Sequence, residues 1–152
     1  GTMPSPASRK AGFFYMHAQN RFWPVIAKIF DEEFLHKNND KDKNSAIIER
    51  KDFLKRHHIA LRDVLAECEI TGASDSSINN EHPNDFSEIL ASSKIVRIFC
   101  TGKTAFNLYK KHCSQKYSTP FSYLPSTSPA NQAVWPTEKL TEEYRKEILR
   151  FV

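Results

Sequence analysis

The stretch Lys94–Leu124, KIVRIFCTGKTAFNLYKKHCSQKYSTPFSYL, decides the fold. Its apolar run Ile95-Val96-Arg97-Ile98-Phe99-Cys100 ends at a Thr101-Gly102 turn, Ala105, Leu108 and Tyr109 follow at helical spacing, and Phe121-Ser122-Tyr123-Leu124 reads as a second strand. Strand, helix, strand over that length is a βαβ crossover, which joins parallel strands with right-handed sense. The fold class is therefore α/β. In an open parallel sheet ligands gather at the carboxyl ends of the strands. That rule marks the Thr101-Gly102 turn and the Pro125–Asn131 loop as candidate site elements.

Working outward, the stretch after Pro129 leads to a helix over about Thr137 to Phe151, with Leu140, Tyr144, Ile148 and Phe151 on one face and Lys139, Arg145 and Lys146 exposed. Towards the amino end, Asn84 or Asp85 caps a short helix carrying Phe86, Ile89 and Leu90. Thr71 to Asn84, rich in Ser, Asp and Asn, reads as a long surface loop. Ile59 to Ala66 reads as part strand, part irregular. Asn44 or Ser45 caps a helix with Ile47, Ile48 and Phe53, whose charges Glu49, Arg50, Lys51 and Asp52 form a solvated face. The polar run HKNNDKDK, His36 to Lys43, is a surface loop. Pro24 sits in the first turn of a helix through about Phe30, with Val25, Ile26, Ile29 and Phe30 on one stripe. The chain opens on a turn-forming GTMPSP.

Length and composition bound the rest. One domain over residues 1–152 has room for a real core, and 4 glycines exclude collagen-like and linker compositions. No apolar run approaches the roughly 20 residues that span a bilayer, and no secretory leader opens the chain. The formal charge of +4 permits a polyanionic partner without proving one. Three widely spaced cysteines, Cys68, Cys100 and Cys113, read as reduced thiols, and His57-His58 lack ligand-spaced partners, so no metal is expected.

Two segments could carry chemistry. Pro125 and Pro129 stiffen a loop presenting Ser126, Thr127 and Ser128, which suits a nucleic-acid phosphate, although for the loop taken alone a structural turn is the favoured reading. Phe13, Phe14, Tyr15 and Phe22 surround the polar group His17, Gln19, Asn20 and Arg21. Such rings stack on bases or build cores, and Trp23 with at least one Phe is expected in the core. Asn20 is a cap, a turn former, or the holder of a water through its amide oxygen.

The run Tyr15-Met16-His17-Ala18-Gln19-Asn20-Arg21-Phe22-Trp23-Pro24 resembles the YxHPxNxFW segment of the uracil-DNA glycosylase superfamily. Leu124-Pro125-Ser126-Thr127-Ser128-Pro129-Ala130-Asn131 resembles its second motif, and Gly1-Thr2-Met3-Pro4-Ser5 the opening of its first. Asp63–Cys68, Gly72–Ile78 and Asn84-Asp85-Phe86 follow in the order of the hypoxanthine-DNA glycosylase branch. The resemblance implies a three-layer fold, a short parallel sheet flanked by helices, and hydrolysis of deoxyinosine by base flipping. It implies Asn20 as the residue that positions water, because Met3 replaces the first-motif Asn of mismatch glycosylases. It gives Phe22 to base stacking, Tyr15 to pocket shape, His17 and Thr101 to the base edge, and Pro125 to Pro129 to the DNA backbone, with Gly1, Met3 and Pro4 as first-motif backbone. Ala18 stands where the family has Pro, and Thr101 where the branch has Asn.

The implied protein is a monofunctional glycosylase that leaves an abasic site, needs no cofactor, and acts as a monomer on double-stranded DNA containing a deaminated base. It contacts no membrane, is not secreted, and works in the cytoplasm of a prokaryote or the nucleus of a eukaryote. In the family a strand precedes the first motif; its absence before Gly1 leads us to expect an amino-terminally shortened chain, unstable or inactive by itself. The alternatives are a uracil or thymine mismatch glycosylase and a noncatalytic module that binds damaged DNA.

Overall fold

The computed structural model describes residues 1–69 and 78–152. In chain order the elements are α1 (Pro6–Ala11), α2 (Phe22–Ile29), α3 (Lys43–Arg56), β1 (Leu65–Glu69), β2 (Asn79–Pro83), α4 (Ser87–Ser92), β3 (Ile98–Thr101), α5 (Lys103–His112), β4 (Phe121–Leu124) and α6 (Thr137–Ile148). They divide between two compact units, Gly1–Met3 with Arg62–Ser126 and Pro4–Leu61 with Thr127–Val152.

The first unit contains the crossover. β3 and β4 pair in parallel, from Ile98 opposite Phe121 to Thr101 opposite Leu124, with α5 between them in sequence. The ladder begins at Ile98 rather than Ile95 because the Ile98 N–H already reaches the Pro120 carbonyl at 2.9 Å, and a proline has no N–H with which to extend the pairing. Ala105 and Tyr109 of α5 are buried with Cys100, Cys113, Val64 and Leu65. Burial pushes the Cys100 thiol up to about 11, so it stays protonated at neutral pH. Gly102 makes the strand-to-helix turn at φ +95°, and its N–H donates to the Leu124 carbonyl at 2.7 Å. A left-handed φ there favours glycine.

β1 and β2 form a separate antiparallel pair, so part of the expected 71–84 loop is a strand. Asn79–Pro83 shows no apolar alternation and is held instead by its pairing, with register shifts along β1 and Asn80 at φ +52°. Residues 70–77, including most of the Gly72–Ile78 motif, lie outside the described residues. The carbonyls of Gly1 and Thr2 accept from the N–H groups of Val64 and Leu65, at 2.8 and 3.1 Å, where the chain enters β1.

The second unit is helical. Phe22, Trp23, Val25, Ile26, Ala27 and Ile29 of α2 are all buried, and α2 packs against α6, which buries Leu140, Thr141, Tyr144 and Ile148. Phe151 is not part of that face: α6 ends at Ile148, and the following 3₁₀ turn leaves Phe151 37% exposed. α3 begins two or three residues earlier than expected, capped by Asp42, whose carboxylate accepts from the Ser45 N–H and hydroxyl. Its buried stripe is Ala46, Arg50, Phe53 and Leu54; Ile48 points outward and Arg50 inward, reversing both expectations. α1 was not anticipated within GTMPSPASRKAG, yet Ser5 caps it, Pro6 opens it and Gly12 closes it at φ +71°.

One ion-pair cluster locks the end of α3 onto the turn after α2. Glu32 accepts from both terminal nitrogens of Arg56, at 2.8 and 3.0 Å, and lies 2.8 Å from His57 Nε2. Hydrogen bonding to Arg56, then His57, holds the Glu32 carboxyl down at about 2. A depressed carboxyl contributes stability above its unfolded pKa and loses it as pH falls through the folded one, so the window runs from about pH 4.5 down to 2. Because the pair is partly solvated, the contribution is about 1 kcal/mol or less. Urea titrations of Glu32→Gln and wild type should differ by that amount at pH 7 and converge as pH approaches 2; a gap that widens in acid would refute the linkage.

Candidate active site

The second unit gathers the polar and aromatic residues of segment 13–23. Asn38 pins the backbone from below: its Nδ2 donates to the carbonyls of Tyr15 and His17, at 3.0 and 2.8 Å. Asn38 is buried, although its polar surroundings in sequence read as a surface loop. The Met16 N–H donates to Ser8 Oγ at 2.9 Å, and Trp23 Nε1 to the Phe14 carbonyl at 2.9 Å. Between these anchors Tyr15 takes φ +54°, a left-handed conformation held by the contacts on either side.

The rings sort by exposure. Trp23 and Phe22 are core residues, as is the Phe34 ring packed edge-on against Trp23. Phe22 is only 4% exposed and one of its faces is covered by Tyr15, 4.2 Å away between centroids and 19° from parallel. Phe22 therefore has no face to offer a base. The half-buried Tyr15 is the more exposed member of the stack. His17 is exposed, and its Nδ1 accepts from the Gln19 N–H at 3.1 Å. In the neutral ring that leaves Nε2–H as a donor.

Asn20 opens α2. Its Oδ1 accepts from the Phe22 N–H and from the Thr127 hydroxyl, both at 2.9 Å. A backbone N–H can only donate, so the oxygen of this amide is identified by its partners. Thr127 is 2% exposed with its hydroxyl turned onto Asn20, which places it behind the site rather than on a phosphate-facing surface. Arg21 holds the same loop: its N–H donates to the Thr127 carbonyl at 3.1 Å, and its guanidinium to the carbonyls of Ser128 and Trp135. Burial lowers the pKa of this guanidinium without discharging it. Ser128 Oγ accepts from the Ala130 N–H at 3.2 Å, and exposed Pro129 starts a 3₁₀ turn.

The unit thus brings together Tyr15, Asn20, Phe22, Thr127 and Ser128. Pro4 also belongs to it. Gly1, Met3, Thr101, Pro125 and Ser126 belong to the other unit, where Thr101 ends β3, Pro125 is buried, and Met3 packs against the core. A Cβ on Gly102 would lie 3.4 Å from that of Ser126, so the two candidate turns touch. Arg21 and Asn38 were missed as site residues because their importance lies in the carbonyls they reach. An open cleft of about 890 Å³ is lined by Asn20, Trp23, Pro24 and parts of α3 and α6. Of the candidate residues only Asn20 reaches it, and its walls carry Lys28, Lys37, Arg50 and Arg145 alongside Glu32, Glu33, Glu138 and Glu142, so their charge does not mark it as a phosphate groove.

A model of the uracil DNA glycosylase superfamily matches residues 1–152. The chain belongs to the uracil DNA glycosylase superfamily. As a superfamily member it is 28% identical over 133 residues to the hypoxanthine DNA glycosylase of Methanosarcina acetivorans, covering 87% of this chain and 78% of that one. The solution NMR structure of a "putative Uracil DNA glycosylase" from Methanosarcina acetivorans superposes with a TM-score of 0.72 at 25% identity, over 96% of this chain and 86% of that chain. The short parallel sheet flanked by helices is thus the superfamily's fold. Among the described residues no helix is long and apolar enough to cross a membrane.

Proposed function

We propose that the protein is a monofunctional DNA glycosylase, a single domain that hydrolyses the N-glycosidic bond of deoxyinosine and leaves an abasic site. The observation that carries this reading is an Asn20 amide fixed at the start of α2 by the Phe22 N–H and the Thr127 hydroxyl, in a superfamily member whose relative is named a hypoxanthine DNA glycosylase. In the reaction the C1′–N9 bond breaks, its electron pair stays on the purine, and water adds to C1′. The water's proton leaves to the base or to solvent. The sugar passes through oxocarbenium character while the base gains negative charge, so donors aimed at the base lower the barrier. Flipping costs a few kcal/mol, and a mispaired deaminated base costs least. The +4 charge favours the duplex, with Ser128 and Pro129 assigned to its backbone and His17 to the base edge.

The test is excision from duplexes carrying hypoxanthine, xanthine or uracil. Alkali-labile abasic sites should appear with hypoxanthine, with no strand break before alkali treatment. Tyr15→Ala should lower excision about 10- to 100-fold, the worth of one base stack. Preferred release of uracil would move the protein to the mismatch enzymes. Salt-sensitive binding of every duplex without any abasic product would make it a noncatalytic binder.

A further inference from the structure

Asn20 has only one side left with which to act. A carbonyl oxygen has two lone pairs, and both on Oδ1 are engaged, one by the Phe22 N–H and one by the Thr127 hydroxyl. The hydroxyl must be the donor in the second bond, since Oδ1 carries no proton. Asn20 Nδ2, with two N–H donors, has no hydrogen-bond partner among the described residues, and Asn20 remains half-buried rather than sealed. We propose that Asn20 meets the substrate as a donor through Nδ2, to an acceptor atom of the departing base, and that Thr127 is the positioning residue that fixes this orientation. The water expected on the amide oxygen has no lone pair to bind there. A donor suits the purine better, because negative charge grows on the base as the bond to C1′ lengthens.

Thr127 is well placed for this task. Its side chain is 2% exposed, its carbonyl is held by the Arg21 N–H, and its hydroxyl closes the same short network from the other end of the chain. The Phe22 N–H alone leaves one lone pair of Oδ1 open, so a water could compete there. The Thr127 hydroxyl removes that option.

The inference rests on the glycosylase reading, and the variants separate the two. Asn20→Ala abolishing hypoxanthine release from an active wild type supports the reading itself; inactive wild type overturns it. Asn20→Asp keeps an acceptor for the Phe22 and Thr127 donors but replaces the NH2 by a carboxylate oxygen. A donor role predicts at least a 100-fold loss of kcat for Asn20→Asp; retention within threefold would show that an acceptor suffices and overturn the proposal. Thr127→Val should lower kcat about three- to tenfold, the worth of one hydrogen bond, with KM for the duplex unchanged and Thr127→Ser restoring it. The NMR signals of the Asn20 side-chain NH2, which need no catalysis, should shift in Thr127→Val and return in Thr127→Ser. Unmoved signals and unchanged kcat in Thr127→Val would remove Thr127 from the mechanism.

Discussion

Arg50→Ala should cost about 3–5 kcal/mol of stability, read as a lowered urea midpoint, and should loosen the candidate site with it. Arg50 is 1% exposed, yet it lies on a helix otherwise dominated by exposed charges. Its Nη1 donates to the Ala46 carbonyl at 3.0 Å and its Nη2 to Asn38 Oδ1 at 2.9 Å. The guanidinium carbon sits 4.8 Å from the centre of the Phe34 ring and 5.4 Å from that of Trp23, so its flat faces fill the space between aromatic walls. Desolvation lowers its pKa, opposed by Glu49 and then Asp40, and an arginine remains charged regardless. Alanine would leave a void beside Trp23 and an unpaired buried amide oxygen on Asn38. Asn38 in turn holds the carbonyls of Tyr15 and His17, so the loss passes to the site loop. Arg50→Met, which keeps most of the volume, should recover part of the stability and none of the Asn38 bond. Equal stability of Arg50→Ala and wild type would show that the guanidinium is not part of the core.

What could be read from sequence divides along the same physical line. The Ile98–Leu124 crossover was legible because a buried strand must be apolar and the linking helix must turn one stripe inward, which leaves two different periodicities in one short stretch. β2 was not, since Asn79–Pro83 is polar throughout and its strand conformation is imposed by β1. Arg50 and Asn38 read as surface residues because their composition is that of a surface; what buries them is the pairing of one with the other, twelve residues apart. Phe22 and Tyr15 carry nearly the same composition signal, and only packing decides which ring is inside. Asn20 stood out in the motif, but which of its amide atoms is free depends on a hydroxyl 107 residues away. Residue type shows which chemistry is possible at a position; the tertiary partner shows which half of that chemistry is already spent.

Arg21→Ala should cost about 2–4 kcal/mol and should affect the loop more than the Asn20 amide. The guanidinium bridges the carbonyls of Ser128 and Trp135, on either side of the Pro129–Asn131 turn, and so closes that loop on itself. Removing it takes one donor from each carbonyl, leaving that of Ser128 with the Asn131 N–H at 3.0 Å, and loosens the segment, so amide hydrogen exchange across residues 128–135 should accelerate while that of α2 changes little. The backbone bond from the residue 21 N–H to the Thr127 carbonyl uses only main-chain atoms, so Arg21→Ala leaves it in place. Thr127 therefore stays beside Asn20 in the variant. Turnover of hypoxanthine-containing DNA should accordingly fall through weaker engagement of the DNA backbone, seen as a raised KM, while kcat falls less than in Thr127→Val. Arg21→Lys keeps the charge but replaces a planar fork by one ammonium, so it should hold one carbonyl and restore only part of the lost stability. A collapse of kcat in Arg21→Ala with KM unchanged would instead place the guanidinium in the catalytic step. That outcome would also mean the side chain, rather than the backbone at residue 21, sets the position of Thr127.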